Sequence, residues 1–424
     1  MSSILTNNSA MVALQTLKSI NQNLAGTQNE ISTGMSISNA KDNSAVWAIS
    51  KVMSSDVKGF EAISDSLSLG ESTVAVAQNG AEAVTDLLTQ IKGKIVNSQE
   101  ANVDRTKIQS DIVALRDQIN SVVGAAQFNG LNMLQGGDDV DILSSLDRST
   151  DGSVATSNIT VTVQDLTTKD VTVAGDAAYV AGSGVSGAAS ATLNGTQTQA
   201  LNISGVTEGL AFSIGMTGTD ANASEFTPAD YTTAGTVVGA SEIVYIAQAG
   251  DTAADVGREL KLAWDLYAGA NDLDKDVLDF TATATGLSAT SSVTSATDTI
   301  AVRVDTMTSA TNGHEAGGGL SALGKIDVSN NAGADAALGA IEGLIQTAID
   351  GAAAFGSSRG RIETQSDFVG KLSDSLKSGI GALVDADMEA ASARLQALQT
   401  QQQLAVQSLS IANQAPQTIL SLFR

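Results

Sequence analysis

The chain has no cysteine, which removes disulfides, thiolate chemistry and cysteine-ligated metals together. Proline occurs twice, at Pro228 and Pro416, so little interrupts a long helix. Aromatic residues make up 3% of the 424 residues against 42% for all hydrophobic types, so the cores have to be built from Ala, Leu, Ile and Val. Side chains of that size suit helices packed closely along their length better than a pocketed globule. Positive charge is scarce as well. Lys and Arg number 22 against 46 Asp and Glu, a formal net charge of −24. That balance argues against nucleic acid and anionic membrane as partners. No stretch approaches a bilayer-spanning apolar run, so no transmembrane helix is expected. The opening MSSILTNNSAM has neither a basic n-region nor a continuous apolar core, so a cleaved secretory signal is not expected.

What is present falls into three parts, helical at both ends and mixed in the middle. From Met1 to Ala25 there is no Gly or Pro. Leu17, Ile20, Leu24 and Ile31 recur at spacings of 3, 4 and 7, which places them on one helical seam. A second helical run is expected from about Ser44 to Glu100, with Gly59, Gly70, Gly80 and Gly93 speaking against its continuity. A third covers Asp104 to Ala126, with Asp104 as its N-cap. Near the other end Leu338, Ile341, Ile345, Ala348, Ala352 and Phe355 step by threes and fours, and a break is expected at Gly356–Gly360. From Ala382 to Ala415 Gly and Pro are again absent, and Met388, Ala391, Leu395, Leu398, Gln402, Ala405, Leu409 and Ala412 keep heptad spacing. At about 1.5 Å per residue such a rod spans roughly 50 Å. With one narrow apolar seam it is not stable alone and needs a partner helix, for which the N-terminal seam is the candidate.

Between about Gln135 and Gly333 the pattern changes to Gly, Ser, Thr and Ala with period-2 segments. Ile159, Val161 and Val163 alternate with threonines, and Ile300, Val302 and Val304 alternate with Ala301 and Arg303, reading as half-buried strands. One helix is expected at Thr252–Ala268, with Val256, Leu260, Ala263 and Tyr267 on its inner face. From Ser149 to Ile300 there are 18 acidic and 4 basic residues, a balance of −14. More than half of the excess negative charge therefore sits in the middle, as suits a solvent-facing segment.

Three motifs invite a chemical reading. Gly356-Ser357-Ser358-Arg359-Gly360 fits the G-x-S-x-G spacing of a nucleophile elbow. A helix precedes it and the single histidine, His314, comes earlier in the chain, so a turn between helices is expected. His314-Glu315-Ala316-Gly317-Gly318 begins like a zinc-protease motif, but Gly318 stands where the second histidine belongs. Asp272, Asp274, Asp276 and Asp279 resemble the start of a calcium loop, yet Val277 replaces the required glycine and Thr283 the closing glutamate. No catalytic, metal or cofactor site is expected.

Certain motifs resemble bacterial flagellins, of the alphaproteobacterial kind. Asn7, Ala10, Leu14, Leu17, Asn23 and Leu24 followed by Glu30-Ile31-Ser32-Thr33-Gly34, and the segment Ala40-Lys41-Asp42-Asn43, resemble the N-terminal flagellin signature. Gln127-Phe128-Asn129-Gly130-Leu131 resembles the motif that closes the N-terminal helical block. Asp385-Ala386-Asp387, then Ala412-Asn413-Gln414-Ala415-Pro416-Gln417 and the ending Ile419-Leu420-Ser421-Leu422-Phe423, are similar to the flagellin C-terminus almost position by position. The resemblance covers about 1–135 and 333–424, and it implies an α+β fold. Long antiparallel rods, a coiled coil of paired N- and C-terminal segments, would carry a β-rich inserted outer domain. On this reading 1–43 and 382–424 form the inner coiled coil, 44–135 and 333–381 a helical second layer, and 136–332 the outer domain.

The polymerisation seam would be Leu17, Ile20, Leu24 and Ile31 against Leu395, Leu398, Leu409 and Ala412. The resemblance further implies a secreted, extracellular homopolymer exported unfolded through the flagellar type III channel. An export chaperone, the filament cap and hook–filament junction proteins are its implied partners. A junction protein of the same superfamily, or an adhesin using the acidic middle, are the alternatives the residues leave open. One departure concerns the motif read by the animal innate receptor, an Arg, a Leu and later a Glu. The matching positions here are Gln90, Lys94 and Asp111, which puts recognition in doubt.

Overall fold

The computed structural model describes residues 7–149, 153–171, 179–180, 185–186, 190–220, 225–233, 243–248, 250–295, 297–307 and 317–422. They form two compact units, one of residues 1–68, 143–158 and 364–424 and the other of 69–142 and 159–363. His314 and the first two residues after it lie outside the described residues.

The first unit contains α1 (Asn8–Thr33) and α6 (Met388–Leu422). It also holds the beginning of α2 (Ser44–Ser98) and the end of α5 (Asn331–Val384). A hairpin of β3 (Val140–Arg148) and β4 (Val154–Val161) contributes its tip. The second unit holds the rest of α2 and α5 together with α3 (Arg105–Ala125). Buried Leu88, Ile91 and Ile95 of α2, Ile112 and Ile119 of α3, and Ile341, Leu344 and Phe355 of α5 make its helical core. Ion pairs Lys92–Glu342 and Glu71–Arg359 show α2 and α5 running antiparallel there. Asp104 caps α3 through a 3.2 Å bond from the Lys107 amide. That bond, first among several, lowers the Asp104 pKa.

The helical run expected from Ser44 to Glu100 is present as α2, while the break expected at Gly356–Gly360 gives way to tertiary packing. α2 is continuous through all four of its glycines, because three of them are notches. A Cβ at Gly59 would lie 2.8 Å from Leu146 Cδ1, at Gly70 2.6 Å from Ile142 Cδ1, and at Gly80 2.6 Å from Leu134 Cδ1. The helix accepts a propensity loss of about 1 kcal/mol per glycine and receives an apolar side chain in return. Nor is there a break at Gly356–Gly360, which lies inside α5. Phe355 and Ile362 flank it on one face, both fully buried, and outweigh the two glycines. The break falls instead at Asp385–Asp387, where the side chain of Asp387 accepts from the amides of Glu389 and Ala390 and starts α6.

After α3, β1 (Gln127–Phe128) and β2 (Leu131–Asn132) form a tight hairpin. Asn129 and Gly130 both have positive φ, as a two-residue turn of this kind requires. Asn132 then donates to the Val123 carbonyl at 2.7 Å, so the motif closes the end of α3. Leu166 and Gln164 bond back to Leu134 and Met133.

Beyond Val171 the chain builds a β-rich module and returns at Gly317. The two ends are tied by Gly318 N–H to the Lys169 carbonyl and Leu320 N–H to the Thr167 carbonyl, at 2.9 and 3.0 Å. One antiparallel sheet contains β5 (Tyr179–Val180), β7 (Ser190–Leu193), β9 (Ala211–Thr219), β10 (Val244–Ile246) and β13 (Thr299–Met307). Its order is β10-β9-β13-β5, and β7 also pairs with β13. The other, in the order β11-β12-β8-β6, contains β6 (Val185–Ser186), β8 (Gln197–Ile203), β11 (Asp279–Thr283) and β12 (Gly286–Ser291). Ile300, Val302 and Val304 are buried, as their alternation requires. Ile159 and Val161 are buried on β4, while Val163 lies past the end of that strand.

α4 (Ala253–Ala270) packs on these sheets, started by a capping box between Thr252 and Asp255. Val256, Leu260 and Ala263 are buried with Trp264, whose ring meets Phe280 edge-on at 5.1 Å. At the far end of α4 the Asn330 amide donates to the Gly269 and Ala270 carbonyls, while its oxygen accepts from Gly333 N–H at 2.6 Å. One side chain thus satisfies the end of α4 and the start of α5 together.

The notches are tested by a matched pair. Gly70→Ala forces a methyl into Ile142 and should destabilise by about 1–3 kcal/mol. Gly93→Ala meets nothing within 4 Å and should stabilise by roughly 0.5–1 kcal/mol. Urea midpoints of the two variants check this, and shifts of the same sign would contradict the notch account.

Candidate assembly surface

The functional geometry lies along α1 and α6. Asn7 sits at the N-cap of α1, where its oxygen accepts from Ala10 N–H at 3.1 Å. Its amide nitrogen donates to the Ala412 carbonyl at 2.8 Å. Further along, Gln402 donates to Asn21 at 2.7 Å and Arg394 faces Glu30 at 3.7 Å. At the far end Met35 and Asp385 form an antiparallel bridge. Low numbers on one helix meet high numbers on the other throughout, so the pair is antiparallel.

On α6 the side chains turned inward are Ala391, Leu398 and Ala405, buried, with Leu395, Gln402, Leu409 and Ala412 half-buried. On α1 Ala10, Ala13, Leu17, Ile20, Leu24 and Ile31 are half-buried and Thr27 is buried, at spacings of 3 and 4. All eight seam positions expected from the heptads thus fall on the facing stripes, and Leu398 is the most enclosed of them, 8% exposed. Gln399, Gln403 and Gln407 are exposed. The Gln402–Asn21 bond places a polar pair beside the seam, the kind of contact that specifies register at some cost in stability.

Where the helices leave the pair, Gly34 adopts a left-handed conformation at φ 69° and ends α1. The Ser36 amide and the Ala386 amide bond across to Val384 and Gly34 at 2.7 and 3.0 Å. Asp42 folds the following turn by accepting from the Ser38 and Asn39 amides, and the Asn39 bond chiefly lowers its pKa.

Periodicity directed attention to the seam and passed over a second stripe beside it. Met11, Leu14, Lys18, Asn21 and Ala25 step by 3 and 4 along α1, one residue off the seam. Met11 and Leu14 are 61% and 58% exposed, and Val12 is exposed next to them. On α6, Ala390, Ala397, Leu404 and Ile411 keep strict heptad spacing, with Leu404 57% and Ile411 69% exposed. Leu14, Leu17, Lys18, Asn21, Gln22 and Ala25 line a shallow, largely apolar depression. The signal was in the sequence, as a second apolar repeat offset by one residue.

The three receptor-motif positions lie in the second unit. Gln90 is exposed on α2, and Lys94, one turn on, pairs with Asp111 of α3. No group of three or more His, Asp or Glu among the described residues is placed to hold a metal. No helix among them is long and apolar enough to cross a membrane.

A family model for the bacterial flagellin N-terminal helical region matches residues 4–139, and one for the C-terminal helical region matches 338–423. Flagellin A of Rhizobium meliloti is 35% identical over 431 residues, covering 100% of both chains. A flagellin of Brucella melitensis biotype 1 is 30% identical over 426 residues, again covering 100% of each. Among solved structures, FliC from Burkholderia pseudomallei aligns over 69% of this chain and 99% of that one, with a TM-score of 0.30 and 14% identity.

The seam and the exposed glutamines of α6 are separable by mutation. Burying a leucine contributes roughly 1.5–3 kcal/mol, and a glutamate there adds an unpaired charge. Leu398→Glu should abolish pelleting of seeded polymer while circular dichroism still reports the β-rich module, whereas Gln399→Glu should pellet nearly as the parent does. Equal pelleting of the two would remove the seam from assembly.

Proposed function

The chain belongs to the bacterial flagellin family, and from that premise we propose how its residues are used in the filament. It is a structural subunit of the extracellular flagellar filament, serving motility, and not an enzyme. Its inner seam, Leu17, Ile20, Leu24 and Ile31 with Leu395, Leu398, Leu409 and Ala412, is closed within each subunit by α1 and α6. The flanking stripes are closed by neighbouring copies. The observation that carries this reading is the run of exposed Met11, Leu14, Leu404 and Ile411 on a helix pair whose facing stripes are already occupied. Exposed apolar rows at helical spacing mark an interaction surface on each helix.

The inner pair corresponds to 1–43 and 382–424, the surrounding helical layer to 44–135 and 333–381, and the solvent-facing part to 136–332. Export proceeds unfolded through the flagellar type III channel, with a chaperone holding the C-terminal helix until the subunit is delivered. The cap and the hook–filament junction proteins meet the same helical surfaces at the two ends of the polymer.

Assembly does not need the β-rich module. Val171 and Gly317 approach each other closely, as a Cβ on Gly317 would lie 2.9 Å from Val171 Cγ2. Replacing 172–316 by a short Gly/Ser linker should therefore leave a chain that still elongates seeded filaments. Residues 159–171 must stay, since Leu166 is buried and bonded to Leu134. A well-folded excised chain that fails to elongate would place an essential contact in the module.

The receptor reading follows from chemistry at three positions. Lys94 is engaged by Asp111, and Gln90 lacks the bidentate fork of an arginine. A Toll-like receptor reporter assay on monomer should give a weak response or none. A signal equal to that of an enterobacterial flagellin would refute it.

A further inference from the structure

We propose that Met11 is an oxidation site through which peroxide-class oxidants stop filament growth, acting on the unpolymerised subunit and sparing the finished polymer; the inference rests on the assembly reading above. With no cysteine in the chain, thioethers are its readily oxidised sulfur groups. Their placement is uneven. Met133 and Met216 are each 1% exposed, and Met35 and Met53 are half-buried. Met11 is the most exposed methionine among the described side chains and lies on the flanking stripe of α1, one turn before Leu14. Met388 is exposed too, but it continues the inner-seam heptad at the start of α6, away from that stripe.

The chemistry needs only the oxidant. The thioether sulfur attacks one oxygen of hydrogen peroxide, an S–O bond forms as the O–O bond breaks, and the sulfur gives up two electrons. The other oxygen leaves as water after proton transfer, and the product is methionine sulfoxide. A flexible apolar side chain becomes polar and chiral. In an apolar contact between subunits its S=O dipole loses water, and Leu14, the next residue on its stripe, offers no donor in return. The first turn of α1 is held in place by the Asn7–Ala412 bond, which fixes the backbone position of Met11 on that stripe. Inside the filament the same burial keeps peroxide from the sulfur. Oxidant therefore halts elongation and leaves existing filament intact.

The test treats full-length monomer and seeded filament separately with hydrogen peroxide and maps sulfoxide by peptide mass spectrometry. Met11 should oxidise at least about tenfold faster in the monomer than in the filament, with Met133 and Met216 spared in both. A partly oxidised monomer pool is then offered to seeds. Met11 sulfoxide should be enriched about tenfold or more in the supernatant over the pellet, the partition expected from a loss of about 1.4 kcal/mol per contact. Met11→Leu should pellet after peroxide as the untreated parent does. Untreated parent that fails to elongate seeds would sink the assembly reading itself. If the parent elongates but Met11 sulfoxide divides equally between pellet and supernatant, or forms as fast in filament as in monomer, the proposal is overturned. Equal loss of pelleting by peroxide-treated parent and peroxide-treated Met11→Leu overturns it as well.

Discussion

The antiparallel closure of α1 on α6 constrains everything else in this chain. A single apolar stripe on an isolated helix is too little to hold it against the entropy of an unfolded chain, so each stripe requires the other. Because the two helices run in opposite directions, the point where the chain leaves α1 at Gly34 lies beside the point where it enters α6 after Asp387. The bonds of Ser36 and Ala386 across that point are where the excursion begins and ends. The α2 and α5 helices carry it out and back. Their ion pairs Glu61–Lys377 and Glu71–Arg359 lie on the surface, where each contributes little energy but helps to select register.

Small residues do structural work that larger ones could not. Gly59, Gly70 and Gly80 each leave room for one aliphatic side chain against α2. At Gly269 the backbone of α5 comes so near that a Cβ would lie 2.8 Å from that of Ala336. Asn330 bonds both helices there. An architecture with few aromatic residues can still reach interior density when backbones approach this closely. The β-rich module solves the same problem differently, gathering Trp264, Phe212 and Phe280 around α4 in a core of its own.

Function follows from what this packing leaves open. A monomeric protein seldom exposes a periodic row of leucine, isoleucine and methionine, because such a surface associates. On the proposed reading such rows are where filament subunits recognise copies of themselves, the inner seam being already filled. On that reading the α1 row also leaves the Met11 thioether of the unpolymerised subunit open to oxidant. The middle of the chain carries most of the negative charge and no heptad, as suits surface that faces water.

The sequence by itself determined the elements whose signal is local. Heptads mark the α1 and α6 seams, alternation marks β13, apolar periodicity marks α4, and Asp104 marks the start of α3. Each depends on residues within a turn or two of one another. Tertiary structure decided where local signals conflict with distant partners. Glycines weaken the helical pattern of α2 and read as a break at Gly356–Gly360, yet both helices run through them. Whether a glycine ends a helix or receives a side chain depends on what lies opposite, and Ile142 is far from Gly70 in sequence. Likewise Asp385–Asp387, with neither glycine nor proline, became the true break because the Ala386 amide bonds to Gly34, and the Val384 carbonyl just before it accepts from Ser36, across the chain. A repeat can be read in one strand of sequence; an opposing surface cannot.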